Sequence, residues 1–425
     1  MTVEQDEARP PDPPVPLNPA AALSRGTNQT GLRLYNERLV LSLIRRHGAL
    51  PKAEIARLTG LSAQTISVIM KQLESDGLLR REAPLRGRVG QPSVPYALDE
   101  TGAYSLGLKI GRRSADLVLM NFVGEVLERR QVTYGYPTIE STLGFLRDGV
   151  AAVAGTGDEQ RMRRTVGLGV AIPFELWSWA EQIGAPEGAM ESWKGFPLVQ
   201  AFGEVSGLPV HICNDATAAC GAELIFGAGA DLPDFLYIFV GTFVGGGLVL
   251  GGSLYPGERG NAGAVGSTLI PDVSGAGESP RQLIQSASIY ILEKRMAARG
   301  LDPASLWAQD ADWAGLGPIL EAWIEEVARG LAFAIVSAVS VIDVEAVVVD
   351  GAFPDAVRSR LVGQTREALQ ATERTGLLPI SVLEGSLGGP ARVLGAASLP
   401  LMANFTRDSE LLFKDSRPPA QVVER

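Results

Sequence analysis

Apolar residues recur at helical spacing in two short segments near the amino-terminal end of the chain. In KAEIARLTG, from Lys52 to Gly60, they form one face, and the glycine ends the segment. Ser62 then occupies an N-cap position. Behind it, apolar residues follow at i, i+3, i+4 and i+7, namely Ile66, Ile69, Met70 and Leu73. The spacing predicts a helix, a tight turn and a second helix, which is the order of a helix-turn-helix.

The second predicted helix turns its polar residues away from that apolar stripe. The side chains expected to face a DNA major groove are Ser62, Gln64, Thr65, Ser67, Val68 and Lys71. A strand is predicted to begin at Leu78, and a basic hairpin follows it. Its tip is expected to contact the phosphate backbone or the minor groove through Arg86, Arg88, Gly90 and Gln91.

Helix, turn, helix and basic hairpin in this order predict a winged helix-turn-helix over residues 31–98. Its expected partner is a double-stranded DNA operator. A helical hairpin with a solvated run of charges is the alternative interpretation.

After residue 98 the pattern changes to strands that alternate with glycine-rich turns and helices. Residues 104–134 predict three strands in a meander, and helices then alternate with strands as far as HICND, which ends at Asp215. A second strand-rich opening begins at Asp234, and a long helix at about 317–341 leads to the buried strand EAVVVDGA. Two such openings predict a duplicated α/β body with a cleft between two lobes.

Charge divides the chain in the same place. Residues 31–96 contain eleven Arg or Lys against five Asp or Glu, a balance of +6, whereas the whole chain carries −10. A basic module on an acidic body confines attraction to phosphate to one end of the molecule. Residues 1–30 are acidic and proline-rich and lack the apolar core of a signal peptide, so a disordered tail is expected there, with a second loose tail over 405–425.

Composition narrows the remaining classes of protein. The 425 residues, 46% of them hydrophobic, can fill two or three cores. No stretch reaches the roughly 18 apolar residues of a membrane-spanning helix, so no membrane partner and a cytoplasmic location are expected. Two cysteines, Cys213 and Cys220, and two histidines, His47 and His211, are too few and too scattered for a zinc cage or a disulfide framework.

These segments together resemble the ROK family of bacterial repressors and sugar kinases, in its repressor branch. The resemblance covers about residues 33–400, and its marks are YNERLVLSLIRRHG, GLSAQTIS, GQP, CNDATAACGAE, GTFVGGGLVLGG, GERGNAGAVGS, VVVDGAF and GGPARVLGAASL. It implies an α/β fold with an actin-like (ribonuclease-H-like) ATPase-type body in two lobes. That body, over residues 99–404, would bind a sugar, form oligomers and control the DNA-binding end.

The sequence departs from the family pattern at two places. Where the family's kinases open with an Asp-x-Gly-Gly-Thr phosphate loop, this chain has KIGRRS, from Lys109 to Ser114, which lacks the carboxylate that organises magnesium. Ser267, Ala264 and Ile284 stand where the family's zinc-site histidine and two glutamates are expected. We therefore predict no catalytic residues, no cofactor and no metal.

Candidate ligand contacts lie in the first lobe. Asn214 and Asp215 follow a predicted strand, where α/β folds place ligands, and the matching Asp is the proton-accepting base in the family's kinases. An Asn-Asp turn that caps the next helix is the competing interpretation. In GAMESWKGFPL, Trp193 is expected to stack on a sugar with Glu191 or Lys194 at its hydroxyls, or only to pack the turn. FELWSWA, which starts at Phe174, is expected to cap the pocket or to meet a partner subunit.

The predicted function is a transcriptional regulator, a repressor of carbohydrate metabolism or transport genes, that acts as a dimer or tetramer and responds to a carbohydrate effector. Two alternatives are a sugar kinase with a regulatory DNA-binding domain and an effector-independent regulator or scaffold.

Overall fold

The computed structural model describes residues 29–84, 93–155, 159–272, 279–308 and 311–406. Their helices are α1 Gln29–His47, α2 Lys52–Thr59, α3 Ala63–Ser75, α4 Ile139–Gly155, α5 Glu159–Arg163, α6 Leu198–Ser206, α7 Asp215–Phe226, α8 Ile289–Ala297, α9 Pro318–Val339, α10 Asp355–Ala371 and α11 Ala391–Phe405. Their strands are β1 Leu50–Pro51, β2 Leu79–Arg81, β3 Pro95–Leu98, β4 Tyr104–Ile110, β5 Ser114–Asn121, β6 Val126–Thr133, β7 Thr165–Ile172, β8 Val210–Asn214, β9 Phe235–Val240, β10 Val244–Leu250, β11 Ser253–Tyr255, β12 Leu269–Ile270, β13 Arg281–Gln282, β14 Ala346–Gly351 and β15 Ser381–Glu384.

The amino-terminal unit is a winged helix-turn-helix, as predicted. Gly60 ends α2 in a left-handed conformation with φ of 69°, and Ser62 caps α3 by accepting a hydrogen bond from the Thr65 amide. Strands β2 and β3 form the antiparallel hairpin of the wing, and the short strand β1, which the sequence did not suggest, pairs with β3. The four predicted tip contacts, Arg86, Arg88, Gly90 and Gln91, lie outside the described residues.

The body contains the duplicated α/β unit that the sequence predicted. In the first lobe the strand order is β6-β5-β4-β7-β8, and in the second it is β11-β10-β9-β14-β15. Each sheet joins an antiparallel meander of three strands to two parallel strands. The same topology in both sheets confirms the predicted two-lobed, actin-like fold.

Two helices link the lobes, because each packs on the sheet of the opposite lobe. Helix α7 leaves the end of β8 in the first lobe and packs on the second sheet, whereas α11 follows the second lobe and packs on the first sheet. The two helices cross at backbone contact, because a Cβ added at Gly395 would lie 1.9 Å from the carbonyl oxygen of Ala218. Small residues at this crossing therefore fix how the lobes meet.

The winged helix and the first lobe share one hydrophobic cluster. It joins the helix-turn-helix core with Phe122, in the turn after β5, and with the α11 residues Val393, Ala397 and Leu401. Arg45 of α1 donates to the carbonyl oxygen of Phe122 at 2.8 Å. Because this contact is apolar and continuous, the DNA-binding unit is docked on the body rather than tethered to it.

Candidate functional site

The exposed face of α3 is the candidate DNA-binding surface. Ile66, Ile69, Met70 and Leu73 are buried, which confirms the predicted stripe. On the opposite face Gln64, Ser67, Val68 and Lys71 are exposed at i, i+3, i+4 and i+7. The Ser62 and Thr65 hydroxyls lie 2.8 Å apart at the start of this face. The predicted contact residues of α3 are thus gathered on one surface of a rigid helix.

A cavity of about 300 Å³ opens beside the carboxyl ends of β7 and β8 in the first lobe. It is lined chiefly by the segment 172–177, and also by Trp193, Leu198, Cys213 and Asn214. This lining brings the two aromatic segments of the sequence, FELWSWA and GAMESWKGFPL, to the same place as Asn214. An aromatic and aliphatic wall that carries the Asn214 amide and the Glu175 carboxylate has the composition of a small-molecule pocket.

Asn214 both caps α7 and lines the cavity. Its Oδ1 accepts from the amides of Ala216 and Thr217, at 3.0 and 3.3 Å. The capping interpretation is therefore confirmed. The residue also lines the cavity, and the cap uses only its Oδ1, so capping and ligand contact are compatible.

Trp193 is buried, and its indole nitrogen donates to the carbonyl oxygen of Pro137 at 3.0 Å. One side of the ring packs the turn while the residue also lines the cavity. Glu191 and Lys194 are exposed on the same turn and are not among the residues that line the cavity. Of these three predicted ligand contacts, Trp193 lines the cavity, and Glu191 and Lys194 do not.

Backbone strain marks the loop that closes the cavity. Glu175 has φ of 46° and ψ of 52°, a left-handed conformation that glycine adopts without strain. Glu175→Gly is expected to raise the free energy of unfolding by about 1 kcal/mol, since it removes the contact between Cβ and the backbone. Urea unfolding of the full chain measures this. Glu175→Ala is the control, because it removes the carboxylate but keeps the strain, and equal stability of the two variants would contradict the assignment.

Asp215 lies next to the cavity within a cluster of cations. Its Oδ2 is 3.5 Å from Nη1 of Arg392 on α11, and Lys109 and Arg112 are close enough for its charge to raise their pKa values. Burial is the larger effect on both cations, and it lowers the pKa of Lys109 to about 8 and that of Arg112 to about 10. Asp215 is thus held among positive charges, with Arg392 as its ion-pair partner.

The first phosphate-loop position of the family is filled by a side chain. Lys109 folds across Gly111 and reaches Asp116 Oδ2 at 3.0 Å and Ser114 Oγ at 2.8 Å. A Cβ on Gly111 would lie 2.7 Å from the Lys109 side chain, so no space is left over this turn. The residues present do not fit a nucleoside triphosphate with its magnesium ion.

The residues present do not fit the family's zinc site either. Ser267 belongs to the short turn Val265–Ser267, and Ala264 precedes it. The described ranges contain no group of three or more His, Cys, Asp or Glu side chains with the arrangement of metal ligands. Burial raises the pKa of the Cys213 and Cys220 thiols, which disfavours the thiolate that zinc binds.

The sequence did not single out Lys109, Asp116 or Arg392 as neighbours in the site. Lys109 and Asp116 face each other in the β4–β5 hairpin, and the meander predicted over residues 104–134 was a sufficient signal for that pair. Arg392 lies 177 residues from Asp215 in the chain, and no local pattern links them.

Similarity to known proteins agrees with this architecture. The model of the ROK family matches residues 105–402, and that of the MarR family matches residues 34–88. The chain belongs to the ROK family. Its amino-terminal winged helix is similar to the MarR family over residues 34–88. In the part of the chain that the structure describes, no helix is long and apolar enough to cross a membrane.

Relatives and solved structures extend the likeness over most of the chain. A Sinorhizobium fredii protein, y4fQ, is 26% identical over 382 residues, which are 87% of this chain and 91% of that protein. The xylose repressor of Bacillus subtilis is 23% identical over 245 residues, which are 57% of this chain and 62% of the repressor. A crystal structure of a ROK family transcriptional regulator, a homologue of the E. coli MLC protein, covers 90% of this chain and 99% of its own with 20% identity and a TM-score of 0.65. The structural likeness shows that the fold is shared.

Proposed function

We propose that the protein is a DNA-binding transcriptional repressor whose affinity for its operator changes when a sugar or sugar derivative binds in the first-lobe cavity. The observation that best supports this function is the contact between the two units. An exposed recognition helix is docked, through one continuous core, on a two-lobed body with a small-molecule cavity. Xylose repressors and transcriptional regulators among the relatives support the same function.

Helix α11 is the element that would couple cavity to DNA. Arg392 in its first turn contacts Asp215, the neighbour of the cavity residue Asn214. At its other end, Asn404 accepts a hydrogen bond from Arg38 of α1, and the Phe405 ring lies 4.8 Å from that of Phe122. A helix of 15 residues is about 22 Å long, so one rigid element spans the distance. A ligand that favours one arrangement of the lobes would move α1 and the recognition helix with it.

Regulation rather than catalysis is proposed because the phosphate loop is filled by Lys109 and because Arg392 holds Asp215. We also propose that two or more copies act together in the cytoplasm, each presenting one α3 to a half-site about one helical turn of DNA from the next.

Selection of genomic DNA fragments by the full-length protein, followed by sequencing, tests the function. We expect enrichment of a palindromic duplex at moderate salt, and release of that duplex by one member of a panel of sugars and sugar phosphates. Absence of any enriched duplex would contradict the repressor. ATP-dependent phosphorylation of a sugar would instead support a kinase.

Arg45→Met is expected to uncouple ligand from DNA. Burial lowers the pKa of the Arg45 guanidinium to about 10, and the group is also stacked 5.0 Å from the centre of the Phe122 ring. Methionine keeps the packing of the alkyl stem but removes the donor to the Phe122 carbonyl. The effect of the sugar on operator affinity, typically about 5- to 150-fold in such systems, should fall below about twofold.

Fluorescence anisotropy with labelled operator, with and without the releasing sugar, measures that effect. Arg46→Met is the matched control. The Arg46 side chain is about half exposed, and its ion pair with Asp231 is long, at 3.9 Å. An exposed ion pair of this kind contributes little, so its loss should leave the response to the sugar intact. An unchanged response in Arg45→Met would exclude this contact from the coupling.

A further inference from the structure

Three cationic side chains lie close together beside the cavity. Their positive charge exceeds the negative charge of the two carboxylates that face them. Lys109, Arg112 and Arg392 surround Asp215, and Asp116 is the other carboxylate in contact with this group. Asp116 is already saturated, since Arg129 and Gln131 bind its Oδ1 at 3.1 and 2.8 Å while Lys109 binds its Oδ2. Asp215 alone therefore remains to balance Arg112 and Arg392.

Among the residues that the structure describes, no carboxylate forms an ion pair with Arg112. Its guanidinium is stacked 4.3 Å from the centre of the Phe243 ring and 5.6 Å from that of Trp179. Its Nε is buried without an acceptor among the described residues, and so is Nε of Arg392. Buried guanidinium donors are costly to leave unmatched, and those of Arg112 and Arg392 share one carboxylate, Asp215, which favours an anion as the missing acceptor.

The cluster adjoins the cavity through two chain segments. Asn214 lines the cavity and Asp215 follows it directly, while Trp177 lines the cavity and Trp179 contacts Arg112 through its ring. Neither arginine is among the residues that line the cavity, so a ligand in the cavity would reach them with a substituent that extends past Asn214 and Trp177.

We propose that Arg112 and Arg392 form an anion subsite, and that the effector is an anionic sugar carrying a phosphate ester or a carboxylate. This inference rests on the proposed function for its biological role, but the subsite itself does not need DNA. Arginine suits the task because its planar donors bind phosphate or carboxylate oxygens in pairs. A neutral sugar would leave those donors unmatched. A nucleotide is excluded by the Lys109 side chain across Gly111.

An anion at this place would also act on α11. The effector would compete with Asp215 for Arg392, which lies in the first turn of that helix. The charge of the effector would thus act on α11, whose other end contacts α1.

Calorimetric titration of the full chain without DNA, at constant ionic strength, tests the subsite. The probes are inorganic phosphate and three sugars: glucose 6-phosphate, glucuronate and glucose. We expect saturable binding of inorganic phosphate, and tighter binding of at least one anionic sugar than of glucose by about tenfold or more. The phosphate ester and the carboxylate distinguish the two possible sources of charge.

Arg112→Gln should weaken phosphate binding at least about tenfold, since it removes the charge and keeps most of the side-chain volume. Arg113→Gln is the matched control, because Nε of Arg113 also lacks a hydrogen bond but has a carboxylate of its own, that of Glu293, 3.8 Å away. The affinity of this variant for phosphate should stay within about twofold of the wild type. Thermal melting verifies that both variants are folded.

Absence of saturable phosphate binding, or equal binding by Arg112→Gln and the wild type, would overturn the subsite. Release of the operator by a neutral sugar with the same potency in Arg112→Gln would also overturn it, while leaving the repressor function standing. Conversely, phosphate binding that depends on Arg112 in a protein that selects no DNA would support the subsite and contradict the repressor.

Discussion

Gly395→Ala is expected to destabilise the protein by about 3 kcal/mol or more. The added Cβ would lie 1.9 Å from the Ala218 carbonyl oxygen and 2.3 Å from its carbon, both of which belong to the backbone of α7. Neither atom can turn aside as a side chain does, so the helices α7 and α11 must separate. That movement opens contacts on both sheets, and overpacking of this kind costs several kcal/mol when a backbone must shift.

Gly363→Ala is the matched control for this substitution. Gly363 also lies inside a helix, α10, but an added Cβ meets nothing within 4 Å. The same change should therefore stabilise the protein there by about 0.5–1 kcal/mol, because alanine favours the helix. Urea unfolding of the two variants should move the midpoint in opposite directions. A Gly395→Ala variant as stable as the wild type would contradict the close crossing of the helices.

Val68→Glu is expected to abolish operator binding without loss of fold. Val68 is 61% exposed at the centre of the recognition face, between Gln64 and Lys71. A carboxylate there would face the DNA in place of an apolar group, and it would repel phosphates and remain without a partner at the interface. We expect operator affinity to fall at least about 100-fold, or about 2.7 kcal/mol.

Anisotropy titration with the operator measures the loss, and the thermal midpoint shows that the fold is kept. Val341→Glu is the matched control, since Val341 is 83% exposed on the body, after α9. The same charge at that position should leave operator affinity within about twofold. Equal affinities of the two variants would contradict the assignment of α3 as the recognition helix.

Local patterns predicted the elements well because each depends on neighbours in the chain. The spacing of Ile66, Ile69, Met70 and Leu73 decides which face of α3 is buried, and the N-cap at Ser62 decides where it begins. The meanders were predicted for the same reason, since strand alternation and glycine turns are read within about ten residues. The long helix expected at 317–341 is α9, Pro318–Val339.

The site was predicted less completely because its parts are distant in the chain. Asn214 and Trp193 do line one cavity, but Glu191 and Lys194 on the same turn are exposed and lie off it. Arg392 reaches Asp215 through the crossing of α7 and α11, which is set by Ala218 and Gly395. The hydrophobic periodicity of the sequence does not predict such a crossing, because the crossing depends on how the two lobes pack.

The most direct test of the central claim is the affinity of the full chain for its selected operator, measured with and without the sugar ligand at fixed salt. We expect the ligand to change operator affinity by about 5- to 150-fold, and the operator to change ligand affinity by the same factor. A ligand that binds the chain tightly and leaves operator affinity unchanged would contradict coupling between the cavity and the recognition helix.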